Sequence, residues 1–434
     1  MRKANKLLCL FLCILILCSS FSFLAFGEIT DAKTPVNASE ASLKWSLKLG
    51  KSYRDAPSVP SVADGCVITM SRKTLYKLNA ESGEIIGQAE MADEPSFGYT
   101  PALIDGGKIY CPLENGTVQA FDFNTLKPLW KFSDALGGQA LTPIVSFGGF
   151  LYTGFWNDEE LDGNFVCLNA ESGELLWSYT QKGGFYWSEC FVNQKYVVVG
   201  GDNGSGEEIA PTALKCFDRL SGEQVDSAEI IGDQRSGITE YGGKLFCVTK
   251  AGYLYSVPLG SDGKFGNPEL LKLSGASTST PVIYNGRLYI GVQSQGFGGK
   301  IWVIDADTLS LIYSAEMNGY PQNEMLVSTA YESESGCVYL YSSYNSAPGG
   351  ITVLTDRSGQ TEPITEQLFV PDEGSRGYCI SPICVGDDGT LIYKNDSGTL
   401  FAVERVEKTA EKTIFQKILD FFRQLFDLFI GIFR

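Results

Sequence analysis

Residues 142–180 read TPIVSFGGFLYTGFWNDEELDGNFVCLNAESGELLWSYT, and the fold is decided there. Two short apolar runs flank Gly148-Gly149, the pattern of a tight hairpin between alternating strands. A polar insert, NDEELDGN, separates them from a third run, FVCLN. Asn169 then opens a second turn because its side chain can bond the backbone two residues on, and Gly173 closes it because glycine tolerates positive φ. LLWSYT is the fourth run. Four short antiparallel strands in about 40 residues make the blade of a propeller.

The unit recurs along the chain. Seven segments align with FVCLN (165–169): LYKLN (75–79), VQAFD (118–122), LKCFD (214–218), LYSVP (254–258), IWVID (301–305), ITVLT (351–355) and LFAVE (400–404). They follow one another at 40 to 50 residues. Hairpins such as TPALIDGGKIYCP (100–112) and TPVIYNGRLYIGV (280–292) precede them. Turns such as NAESGE (79–84) and DRLSGE (218–223) follow. The eighth repeat stops after LFAVE without an outer strand, and residues 43–49 (LKWSLKL) form an orphan outer strand ahead of the first. Pairing these two closes a ring and leaves no free sheet edge. The expectation is an all-β chain, an eight-bladed β-propeller of four-stranded blades spanning 42–406 and closed by an N-terminal strand.

The pattern resembles the pyrroloquinoline-quinone (PQQ)-like propeller repeat family, most strongly over residues 141–180, where Gly173-Glu174-Leu175-Leu176-Trp177 is intact. Trp45 and Trp130 occupy the slot of Trp177, while Gly87, Asp226 and Tyr313 replace it elsewhere. That family contains quinoprotein dehydrogenases and also non-enzymatic scaffolds, such as the propeller lipoprotein of the outer-membrane β-barrel assembly machine. In the dehydrogenase branch the quinone stacks on a Trp and on a disulfide of adjacent cysteines, a calcium ion polarises it, and an aspartate acts as base. No Cys-Cys pair occurs in this chain. The resemblance therefore implies the non-catalytic branch, with no cofactor and no resident metal. The alternatives are a PQQ- and calcium-dependent dehydrogenase and a carboxylate-based carbohydrate-active enzyme, although no carboxylate pair stands out.

Composition narrows the chemistry. The chain has 434 residues and no histidine, which excludes Ser-His-Asp and Cys-His nucleophile systems and HExxH zinc sites. A formal charge of −17 with no basic run excludes nucleic acid held by phosphate neutralisation. Of 12 cysteines, three lie before residue 28, and the others are unpaired in pattern. Cys167 and Cys216 stand where Ala120 and Ala402 stand in sister repeats, so they read as small buried strand residues.

The long loops between second and third strands suggest a ligand face for a protein or glycan. Trp156, Phe185, Tyr186, Trp187 and Tyr344 would sit there near Asp158 and Glu159, since aromatics bordered by acids suit a peptide or sugar surface. The competing reading packs Tyr186 and Trp187 under the next blade. Asp202-Asn203-Gly204 and Asn157-Asp158-Glu159 lack the full ligand spacing of a calcium loop.

Both ends carry further expectations. Arg2, Lys3, Lys6, the apolar Leu7–Leu17 and Ala25-Phe26-Gly27 read as a signal peptide over 1–27. A linker follows over 28–41, and the mature protein is expected to be exported to the cell surface or envelope. A charged linker covers 407–413, then an amphipathic helix covers 414–434. Phe415, Ile418, Leu419, Phe422, Leu425, Phe426, Phe429 and Phe433 share its apolar face. That face could lie in a membrane surface, dock on a partner, or pack on the propeller.

Overall fold

The computed structural model describes residues 29–96 and 99–407. The expected signal peptide and terminal helix lie outside them. Eight sheets follow in chain order, seven of four strands and one of five. The third blade comprises Val145–Phe147, Phe150–Gly154, Asp162–Asn169 and Leu175–Lys182, the strands read from residues 142–180. The blades are antiparallel meanders that run outward from their first strand, except that the N-terminal segment adds a parallel strand to blade seven and the outer strand to blade eight.

Closure follows the sequence expectation. Ala41–Lys48 pairs antiparallel with Thr399–Arg405 as the outer strand of blade eight, so the first strand of the ring completes the last blade. The core is divided accordingly. Eight apolar clusters each join two neighbouring blades; one joins Val145, Phe165 and Trp177 to Val197 and Phe217. Another joins Trp45, Leu400 and Ala402 of blade eight to Val67 and Leu78 of blade one.

The repeat motif is the joint between blades. Trp45, Trp130 and Trp177 lie over the turn of the following blade, where the indole N–H donates to the Ala80, Ala170 and Arg219 carbonyls at 2.8, 3.2 and 3.1 Å. The turn glycine is required twice over. Gly83 and Gly222 have φ of 70° and 73°. A Cβ at either would also stand 2.6 Å from the ring above it. Blades without the Trp make the joint in other ways. Leu126 of blade two fills the space left by Gly87. Asp226 accepts the Phe265 N–H at 2.8 Å. Tyr313 donates to Asp356 at 2.7 Å. Asp356 is fully buried and also meets Arg287 at 2.6 Å and the Tyr289 hydroxyl at 2.7 Å.

The stretch read as a linker before the propeller is held along its described length. Ile29–Thr30 adds a parallel strand to the inner edge of Leu326–Ser328, the first strand of the blade seven meander. Thr34 is buried against the Tyr341 hydroxyl at 2.7 Å, and the Ala38 N–H donates to Glu366 at 2.8 Å. A two-residue strand has no periodicity to read, so sequence patterning alone misses it. All nine described cysteines are free thiols. Among the described residues no helix is long and apolar enough to cross a membrane.

Candidate functional site

The segments entering the innermost strands converge on the mouth of the central channel. Hydroxyls tie several of these segments to the next blade: Thr100 donates to the Leu141 carbonyl, Thr142 to Phe185 and Ser188 to Gln234, at 3.1, 2.9 and 2.6 Å. This is the physical content of the recurring Thr-Pro pair. The residue two positions before the innermost strand lines the mouth in seven blades. It is Pro101, Pro143 and Pro382 in blades two, three and eight, and Gly237 and Thr280 in blades five and six. In blades four and seven it is Glu189 and Glu324.

Tyr99, Trp187, Ser236, Thr278 and Asn323 complete the wall. The free space is ≈ 40 Å³, room for about three ordered waters. Burial and the Glu324 carboxylate push the Glu189 carboxyl well above the ordinary carboxylate range. The Nδ2 of Asn323 is buried without a hydrogen-bond partner. Trp187 holds φ at 54°, a left-handed conformation that costs a bulky residue about 1–3 kcal/mol and marks functional sites.

A row of rings runs outward from this mouth. Tyr99 and Trp187 meet edge to face at 6.0 Å, Trp187 and Tyr186 at 4.9 Å, and Tyr186 and Trp156 at 5.1 Å. Arg235 stacks over Tyr186 at 4.4 Å. Its guanidinium holds Asp202 at 2.5 Å, with Glu159 at 3.4 Å and Asp233 at 3.5 Å. Behind Tyr99, the buried Lys394 ammonium lies 5.0 Å over the ring and 3.7 Å from Asp396. Burial lowers the lysine's pKa and raises the carboxyl's.

The structure thus brings Trp156, Glu159, Tyr186 and Trp187 together on blades three and four, with Asp158 exposed beside them. Phe185 and Tyr344 are not part of that surface. Both are fully buried; Phe185 packs between blades three and four, and Tyr344 donates to Gln367 at 3.0 Å. Glu189, Glu324, Asn323, Tyr99 and Arg235 were missed by sequence reasoning. The first two carried a signal: each replaces the proline of the Thr-Pro pair.

The space of ≈ 40 Å³ at the mouth is too small for a quinone. An apolar cavity of about 150 Å³ is needed to take benzene, and a tricyclic quinone is larger still. Among the described residues no three acidic or sulfur ligands converge as a metal site.

Comparison with known proteins agrees with the architecture. Residues 34–262 match a family described as "Outer membrane protein assembly factor BamB". The factor of that name from Yersinia pestis is 24% identical over 227 residues, 46% of this chain and 54% of its own. The match thus spans about half the length of that relative. The crystal structure of BamB from Moraxella catarrhalis superposes with a TM-score of 0.60 at 14% identity, covering 84% of this chain and all but 1% of that one (99%). A quinohemoprotein alcohol dehydrogenase from Comamonas testosteroni gives 0.63 at 13%, covering 88% and 80%. These structural likenesses share the propeller between a scaffold and an enzyme, so they speak to fold alone. By its repeats, its eight closed blades and the match over residues 34–262, the chain belongs to the PQQ-like propeller family of the outer membrane protein assembly factor BamB.

Proposed function

We propose that this protein is an exported, non-catalytic propeller that acts as a protein-binding scaffold in the cell envelope. The carrying observation is the ring row Trp156–Tyr186–Trp187–Tyr99, which leads from the rim of blades three and four into the channel mouth. On that rim Leu161 and Ile209 are 56% and 71% exposed, among Asp158, Glu160, Glu207 and Glu208. Aromatic and aliphatic anchors with an acidic border suit a protein partner bearing basic residues. The outer membrane protein assembly factor named in the matched family supports the same reading.

The dehydrogenase and carbohydrate-enzyme alternatives have little room. A pyranose ring, like a quinone, exceeds the space between Glu189 and Glu324. The test is reconstitution of the protein with the quinone and calcium, followed by dye reduction over an alcohol and sugar panel. The scaffold reading expects no turnover above the protein-free control, and saturable turnover would contradict it.

A further inference from the structure

We propose that the channel mouth is a receptor for one primary ammonium group, a lysine side chain presented by the protein partner, held by the Glu189 and Glu324 carboxylates against the Trp187 ring. The scaffold reading supplies the source of the lysine; the chemistry of the site stands on its own geometry. Both glutamates occupy the inner-ring position that is proline in three other blades. Departure from a repeat at one ring position, twice and with the same residue, points to a requirement other than folding. Three further features describe what fits.

First, none of the twelve lining residues carries a positive charge, while two are acids. The Glu189 carboxylate makes no hydrogen bond or ion pair within the described residues, and its raised pKa is the cost of holding a negative charge there beside Glu324. A cation relieves that cost and favours the ionised form. Second, the space of ≈ 40 Å³ takes a CH2–NH3⁺ tip. Only two acids converge here, and among the described residues no group of three acidic or sulfur ligands is placed to hold a metal ion. Third, the wall offers the partners of a lysine in a peptide. Trp187 lines the space with an aromatic ring, a group that attracts an ammonium, its backbone already fixed in the left-handed region. Asn323 Nδ2 is a buried donor without a partner, and it suits a backbone carbonyl next to that lysine.

The test titrates the full chain with Nα-acetyl-lysine methylamide, with the same compound acetylated at Nε, and with calcium chloride, by calorimetry at low salt. Saturable binding of the free amine is expected, at least tenfold weaker for the Nε-acetylated compound and undisturbed by calcium. Glu189→Gln and Glu324→Gln should each weaken it at least tenfold. Glu223→Gln, on the outer turn of blade four, should leave it unchanged. Circular dichroism of each variant separates lost binding from lost fold, and a misfolded Glu189→Gln is replaced by Glu189→Asp, expected to bind with intermediate strength. Equal binding of the acetylated compound, indifference to both glutamates, or displacement by calcium overturns the proposal. The probe is a small amine, so a positive result with no protein partner on this face would retain the site and remove the scaffold reading.

Discussion

Trp177 and Gly222 work as one joint, because the ring of one blade occupies the volume a Cβ would need on the next. Trp177→Ala is expected to cost about 3–5 kcal/mol in urea unfolding, the range for deleting a large buried aromatic. Gly222→Ala should be costly alone and much less so in the Trp177→Ala background, since the clash has gone. That non-additivity is read by a double-mutant cycle, and additive effects would mean the joint is not shared. Glu189 carries a different kind of prediction. Its folded-state pKa lies above the unfolded value, so its contribution to stability is present below the ordinary carboxylate range and is lost as pH rises through the raised value. Glu189→Gln removes that titration. The variant should match the parent below the ordinary carboxylate range and exceed it increasingly as pH rises above that range. A pH-independent difference would contradict the assignment.

At the scale of elements, the closing strand and the buried charge of blade seven make separate claims. Without Ala41–Lys48 the edge of Thr399–Arg405 is left unpaired, and an exposed edge recruits other chains. A chain beginning at residue 50 is expected to elute as aggregate in size-exclusion chromatography where the intact chain is dispersed. Asp356 sits at zero exposure between Arg287, Tyr289 and Tyr313. Asp356→Ala strands the Arg287 cation and should cost about 3–5 kcal/mol in the same urea assay.

The elements were also unequally legible. Blade three announces itself because every turn residue, the Thr-Pro entry and the Trp slot coincide in residues 142–180. The closing strand was readable because blade eight lacked an outer strand that residues 43–49 could supply. Ile29–Thr30 was not, since two residues pair by position in space rather than by pattern. The site was read in part for the same reason. Trp156, Tyr186 and Trp187 are conspicuous as residue types on long loops. Phe185 is equally conspicuous but faces Gly154, where only a missing side chain lets the ring in. Glu189 and Glu324 lie 135 residues apart in the chain. Only closure of the ring brings them to one mouth.

For the whole molecule, a formal charge of −17 and an acidic rim around a ring of aromatics define the partner that should be sought: a protein surface with exposed lysine and apolar anchors. Association of such a pair is steered by charge and should slow as ionic strength rises. The account's central claim is that this protein works by holding a protein on the channel-mouth face. The most direct measurement is photo-crosslinking in the cells that make it, with the reactive residue at Asp158 or Glu160 on that face, or at Glu171 or Glu223 on the turns of the opposite one. Discrete protein adducts from the first two positions and none from the second two are the expected result. Adducts confined to the opposite face, or none from Asp158 and Glu160, would contradict it.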